Sequence, residues 1–441
     1  MQFLPQFGNF AFMIVAFVVA LSVIVAIHEY GHYIVGRWCG IHAEVFSLGF
    51  GPVMFSRVDR RGTRWQVAAL PLGGYVKFLG DANAASVGSN GRVSDADLRR
   101  TMLGAPLWAR AATVAAGPVF NFVLAIAIFA GSIMYQGRAV DPMTFDQLRP
   151  LPASYESELR QGDVFVAIEG VRFDEASETN VMADNIPLQE ELTYTVLRDG
   201  EQIDIVGPYY FPPAVRSVSP RSAADDAGIK VNDVITAIDG EPVFAFSQVQ
   251  DIVAGADGRP LQVTLWREGE TLEKTIAPRR VDLPSPEGGF ETRWLIGITG
   301  TLFFDQATES IGLVEAVQLG ADGLWQTITT SLSALEHIIF GKISTCNLSG
   351  PVGIAETSGS MAEQGAQSFI WFIGALSAAV GMINLFPIPV LDGGHLLFYA
   401  YEAVTRRKPS DRAVQVFMFV GLALILSMMS FTILNDTILC P

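Results

Sequence analysis

Four stretches of this chain carry no charged side chain over a length that can cross a bilayer, and this limits its architecture more than any other feature. They run from about Phe7 to Ile27, from after Arg110 to about Tyr135, from about Gln367 to Leu391, and from about Ala413 to Asn435. A hydrocarbon core of about 30 Å takes roughly 20 apolar residues in a helix. Inside it every backbone N–H and C=O needs an internal partner, so such runs form helices. Half of the 441 residues are apolar and 17% are charged, which excludes an ordinary soluble protein of this length. The first run has no basic stretch before it and is too long for the apolar part of a signal peptide, so it is read as a retained membrane segment.

The net charge of −16 is unevenly spread. Residues 37–110 hold ten Lys/Arg against five Asp/Glu, whereas 136–370 hold fifteen against thirty-five. The 400–412 loop has four basic and two acidic residues. Basic loops stay on the cytoplasmic side. Residues 37–110 and 400–412 are therefore placed inside, with both termini and the long acidic segment outside. Three cysteines, Cys39, Cys346 and Cys440, are too few for a disulfide framework or a cysteine-rich zinc site. Cys346 and Cys440 share the outer side, so a bridge between them and two inert thiols are both open readings.

At the inner end of the first run stands His28-Glu29-Tyr30-Gly31-His32, which matches His-Glu-x-x-His. Residues i and i+4 lie on one helix face, so both imidazoles can reach one metal. Zinc suits imidazole nitrogen and keeps a position open for water. Glu29 can take the proton of that water during attack on a carbonyl. The competing reading, a solvated helix end, is disfavoured because ionisable groups beside a membrane run are costly. Two histidines leave a protein ligand to be found, and Asp392 is the best candidate. It ends the run Asn384-Leu385-Phe386-Pro387-Ile388-Pro389-Val390-Leu391-Asp392-Gly393-Gly394, where two prolines and two glycines interrupt a helix and let a carboxylate turn aside. A capping role for Asp392 is the alternative. His395 is read as an interfacial helix-start residue, and His42 and His337 are given no role.

Residues 43–80 read as short strands, with a turn at Asp59–Thr63 between the runs Val53–Val58 and Arg64–Leu70. They form either a surface hairpin or a sheet dipping into the membrane, which is tolerated there only if buried in protein or lining a cavity. Farther on, Gly162-Asp163-Val164-Phe165-Val166-Ala167-Ile168-Glu169-Gly170 aligns with Asn232-Asp233-Val234-Ile235-Thr236-Ala237-Ile238-Asp239-Gly240 at an offset of 70, and Thr195–Glu201 aligns with Thr264–Glu270 at 69. Two copies of one β-rich domain follow. Each resembles a PDZ domain, a fold that captures extended peptide at a sheet edge, although such a pair can equally be a spacer or shield. Residues 310–341 read as a long amphipathic helix along the outer membrane surface or packed on the PDZ pair.

Taken together, His28–His32, Gly49-Phe50-Gly51-Pro52, Ala116-Gly117-Pro118-Val119-Phe120-Asn121, the tandem repeat, Ser349–Ala355 and Leu391-Asp392-Gly393 resemble the site-2 protease family, and closely its bacterial branch. The resemblance implies a polytopic α-helical membrane protein with four transmembrane helices, a membrane-associated β-sheet and two extracytoplasmic PDZ domains. It implies zinc on His28, His32 and Asp392, Glu29 as catalytic base, and Asn384 as the residue holding the substrate backbone. The implied order is a first transmembrane segment with the zinc motif (1–36), a cytoplasmic loop with the sheet (37–107) and a second segment (108–137). The PDZ copies (138–210 and 211–282), a linker with the amphipathic helix (283–366), a third segment (367–398), a cytoplasmic loop (399–412) and a fourth segment (413–441) complete it. Expected partners are the lipid bilayer and single-span membrane proteins, such as anti-sigma factors or signal-peptide remnants, already shortened by an outer protease. No nucleic acid and no oligomer are expected, and the implied location is a bacterial inner membrane with a periplasmic acidic segment. Two rivals remain: a membrane zinc peptidase of the prenyl-protein type with a downstream Glu ligand, and a PDZ-bearing adaptor or chaperone without hydrolysis.

Overall fold

The structure, a computed structural model, describes residues 3–80, 97–149, 151–172, 185–285 and 289–439. The chain divides into two units, Met1–Ser132 with Val314–Pro441, and Ile133–Leu313. The first unit opens with helix α1 (Phe3–Trp38), strands β1 (Ala43–Val58) and β2 (Arg64–Phe78), and helix α2 (Leu107–Gln136). Helices α1 and α2 touch backbone to backbone at Gly31, where an added Cβ would lie 2.5 Å from the Ala116 carbonyl oxygen. Lipid tails are as apolar as leucine, so association inside a bilayer depends on such small-residue contacts.

The two strands pair with each other twice. Residues 53–58 run back along 64–68 as a hairpin, while 43–48 face both 64–67 and 74–78. Each long strand must bend to do this, and it bends at glycine: Gly49 and Gly51 take φ of +88° and +84°, a region most side chains avoid. The hairpin turn is closed by Asp59, whose Oδ1 accepts from the N–H groups of Arg61 and Thr63. The base of the sheet packs on the helices through Tyr33, Phe46, Val76, Phe78, Ala109 and Val114. Its far end is apolar and open, with Phe55 75% exposed beside Phe50, Val53 and Met54. A patch of this kind marks contact with lipid or another chain.

The second unit repeats itself as the 70-residue offset requires. Strands Val164–Ile168, Glu191–Arg198 and Glu201–Pro208, with Val171–Arg172 at one edge, form a four-stranded sheet; Val234–Ile238, Leu261–Arg267 and Glu270–Ile276, with Glu241–Pro242, form the second. The strand order is the same in both. Glu169 and Asp239 take φ of +49° and +52° ahead of glycine, as tight hairpins with right-handed strand twist demand. A buried aspartate clasp also repeats: Asp163 binds Arg198 at 2.6 Å and Asp233 binds Arg267 at 2.6 Å. One correction concerns the span 283–366, expected as linker plus helix. Its first part returns to the repeats, with Ile298–Thr299 pairing Ser217–Val218 and Phe304–Gln306 pairing Phe145–Leu148. Ile296 enters the core of the second copy, and Phe303 and Phe304 enter that of the first, because neither small sheet covers its apolar face alone. Residues 173–184 of the first expected copy, and Cys440 of the Cys346–Cys440 pair, lie outside the described residues.

Beyond it come helices α3 (Leu313–Ile339), α4 (Pro351–Glu363), α5 (Ala366–Asn384), α6 (Asp392–Thr405) and α7 (Asp411–Leu434). The helix α3 packs on α2. An added Cβ at Gly320 would sit 2.8 Å from the Ile126 carbonyl oxygen, and Leu324 and Ile328 cluster with Phe129 and Ala378. The first turn of α4 is capped from afar: the N–H groups of Gly350 and Gly353 donate to the Asp436 carboxylate at 3.1 and 2.9 Å, a favourable place for an anion. Gly374 and Gly381 let α5 approach Phe129, Phe122 and the Pro118 carbonyl of α2. The third membrane run is not one helix, since α5 stops at Asn384 and α6 begins at Asp392. Two prolines break it, and Gly393 and Gly394 let the chain fold back, their absent Cβ atoms falling 2.3 Å from backbone oxygens of the turn. Among the described residues four helices, at Phe10–Trp38, Leu107–Gln136, Ala366–Asn384 and Arg412–Leu439, are long and apolar enough to cross a membrane.

Candidate metal centre

His28 and His32 stand one above the other on α1, and the spacing of four brings their Nε2 atoms to 3.1 Å. Asp392 opens α6, and its Oδ2 lies 3.2 Å from His28 Nε2 and 3.5 Å from His32 Nε2. That oxygen is buried and has no hydrogen bond of good geometry among the described residues. Three donor atoms crowded together at one point suit a shared cation. Four donors placed tetrahedrally at zinc distances of about 2.0–2.1 Å lie about 3.3–3.4 Å apart, and the three separations here bracket that value. Two imidazoles and a carboxylate also form a donor set zinc takes, with a fourth position left for water.

One face of α2 closes the site, through residues spaced by four. His32 Nδ1 donates to the Thr113 carbonyl at 2.9 Å. A Cβ at Gly117 would lie 2.4 Å from His32 Nε2 and 2.7 Å from His28 Cε1, so only glycine leaves room for the cluster. One turn farther on, the Asn121 amide reaches His28 Nδ1 at 3.2 Å. Glu29 faces the other side, toward the sheet. A Cβ on Gly74 would stand 2.9 Å from Glu29 Cγ.

His28, Glu29, His32, Thr113 and Asp392 line a cavity of about 780 Å³ together with Gly74, Tyr75, Asn384 and His395. Asn384 ends α5, and its amide nitrogen donates to the Val380 carbonyl at 3.0 Å. Arg110 and Glu402 form a paired-fork contact at 2.7 and 3.0 Å that ties α2 to α6 on the cavity wall. The structure thus brings together all five residues singled out in the sequence, His28, Glu29, His32, Asn384 and Asp392. His395 lies on the wall but outside the trio of converging donors. His337 bonds back to the Ser333 carbonyl of its own helix.

Comparison with known proteins agrees with this chemistry. The model of peptidase family M50 matches residues 16–428. The chain belongs to that family. It is 36% identical over 432 residues to a protein of Rhizobium meliloti named as a zinc metalloprotease, covering 97% of each chain. A likewise named protein of Agrobacterium fabrum is 36% identical over 431 residues, covering 96% of this chain and 95% of the other. Regulator of sigma-E protease RseP of Salmonella typhimurium is 30% identical over 450 residues, covering 96% and 97%. The M50 chain described here is therefore a zinc metalloprotease of the site-2 protease type and an integral membrane protein. Thr113, Gly117 and Asn121, and the Arg110–Glu402 pair, belong to the site without a motif role of their own. One signal for them was present: an asparagine inside an uncharged membrane run is expensive unless it has a partner.

Proposed function

We propose that this protein cuts single-span membrane proteins within the bilayer, with zinc held by His28, His32 and Asp392. The observation that carries this reading is the convergence of three donor atoms, all within 4.8 Å of one another, in a cavity shared with Glu29. Bound zinc supplies Lewis acidity that polarises a peptide carbonyl and acidifies water. Glu29 takes the water proton and passes it to the leaving amine. Asn384, which lines the same cavity, steadies the substrate backbone.

A transmembrane helix hides its peptide bonds in its own hydrogen-bond ladder, so it must open before attack. The 74–78 segment, paired to 43–48 and lining the cavity through Gly74–Val76, offers replacement backbone bonds by strand addition. The repeats of the second unit act as PDZ domains, a reading supported by their shared strand order and by the helix Phe246–Gly255 of the second copy. In this reading the acidic unit and both termini face the periplasm of a bacterial inner membrane. Substrates such as anti-sigma factors or signal-peptide remnants arrive after a first outer cleavage, and the enzyme works as a monomer.

The test compares cells carrying the wild type with cells carrying Glu29→Gln. Membrane-anchored fragments should accumulate in the variant alone while the protein keeps its zinc. Absence of any such fragment, with zinc retained, would overturn the reading.

A further inference from the structure

We propose that Asn121 is a positioning residue that holds His28 in its metal-binding tautomer, through the carbonyl oxygen of its side-chain amide. This rests on the zinc site proposed above. A neutral imidazole binds metal through one nitrogen only if the other carries the proton, and the partner of that second nitrogen decides the matter. For His32 the partner is the Thr113 carbonyl at 2.9 Å from Nδ1. A carbonyl can only accept, so the proton sits on Nδ1 and the lone pair of Nε2 faces the cluster.

His28 has the same need, and its Nδ1 is met at 3.2 Å by the amide of Asn121. Asn121 is fully buried, and its Oδ1 has no hydrogen-bond partner among the described residues. With the amide nitrogen placed toward His28, Nδ1 would have to accept. The ring proton would then move to Nε2, the atom 3.1 Å from His32 Nε2 and 3.2 Å from Asp392 Oδ2, and a metal could not bind there. Turning the amide by half a rotation about its terminal bond exchanges oxygen and nitrogen in the same volume. Oδ1 then accepts from Nδ1–H, and His28 Nε2 presents its lone pair. The orientation with nitrogen toward His28 leaves Oδ1 unpaired, and the need of His28 favours the other. The helix is held in place for this by Ser377, whose hydroxyl donates to the Asn121 backbone carbonyl at 2.9 Å.

Thr113, Gly117 and Asn121 therefore form a functional stripe on α2: an acceptor for His32, a gap for the metal, and an acceptor for His28. The test measures zinc affinity of the full-length protein in detergent, by competition with a chromophoric chelator. Asn121→Leu should weaken zinc about 10–100-fold, the usual effect of removing a group that orients a ligand. Asn121→Asp, whose carboxylate accepts the same bond, should restore affinity to the wild-type level or above. The visible absorption of the cobalt(II)-loaded protein should change in the leucine variant and return in the aspartate one. If the leucine variant does not fold, Asn121→Ala takes its place against Asn121→Asp. Unchanged affinity in the leucine or alanine variant, or equal losses in it and in the aspartate variant, would overturn the inference. Asp392→Ala serves as the reference: if it keeps wild-type affinity, the zinc site itself is wrong, whereas its loss of zinc beside an unaffected Asn121→Leu removes only the role of Asn121.

Discussion

In the second unit, each copy of the repeat is tied by a buried pair whose members stand close in sequence, Asp163 with Arg198 and Asp233 with Arg267. In the membrane unit, the candidate metal centre joins His28 near one end of the chain to Asp392 near the other, with α2 packed beside it. The acidic unit has a core of the kind water drives together, with Leu192, Tyr194, Val196, Leu261 and Leu265 each 1% exposed or less. The membrane unit has no such drive between its helices inside lipid. It relies on close approach at Gly31, Gly320, Gly374 and Gly381 and on polar contacts such as Ser377 to Asn121. One unit is therefore expected to fail by losing its core, and the other by losing its clearances.

The largest effect that separates the two is expected from Arg267→Met. Asp233 is fully buried, and removing one partner of a buried pair costs about 3–5 kcal/mol. Hydrogen exchange on the full-length protein should show residues 211–276 opening more readily, while zinc content stays unchanged. If the zinc site is lost as well, the two units do not fail separately.

Gly117→Ala should do the reverse. A methyl group 2.4 Å from His32 Nε2 overfills the site at about 1–3 kcal/mol, equivalent to roughly 5–150-fold in zinc affinity, with no change in exchange across the acidic unit. Full zinc affinity in this variant would show that α2 yields and that the clearance is not needed.

The smallest expected effect is acid sensitivity confined to the acidic unit. Burial opposes ionisation of Asp163, but hydrogen bonds from Arg198 and from the N–H of Arg160 hold its carboxyl below the usual range. A depressed folded pKa means that the stabilisation is complete above the unfolded-chain value near pH 4 and is lost as pH falls through the folded value. Exchange of the strands around Asp163 should therefore accelerate in acid, and Arg198→Met should remove that part of the pH dependence. Equal acid sensitivity in wild type and variant would refute the assignment.

Much of the plan was legible in the sequence because its signals are local. Uncharged length predicts the membrane helices, an i, i+4 histidine pair predicts one metal-facing side, and an offset of 70 predicts two like sheets. Prolines and glycines after Asn384 announce a break, though not that the run ends there as a helix and restarts at Asp392. What escaped is non-local. The return of 296–306 into both repeat cores depends on which apolar faces remain uncovered after folding. The docking of α3 on α2 depends on a gap at Gly320 that only the partner helix makes meaningful.

The metal centre divides along the same line. Helical periodicity, a property of neighbouring residues, puts His28 and His32 on one face in the sequence alone and leaves a third ligand to come from elsewhere in the chain. The accepting carbonyl at Thr113, the empty space at Gly117 and the amide at Asn121 come into play only when α2 packs against α1. Orientation and clearance around a metal belong to the crossing of two helices, and no single stretch of chain contains that crossing.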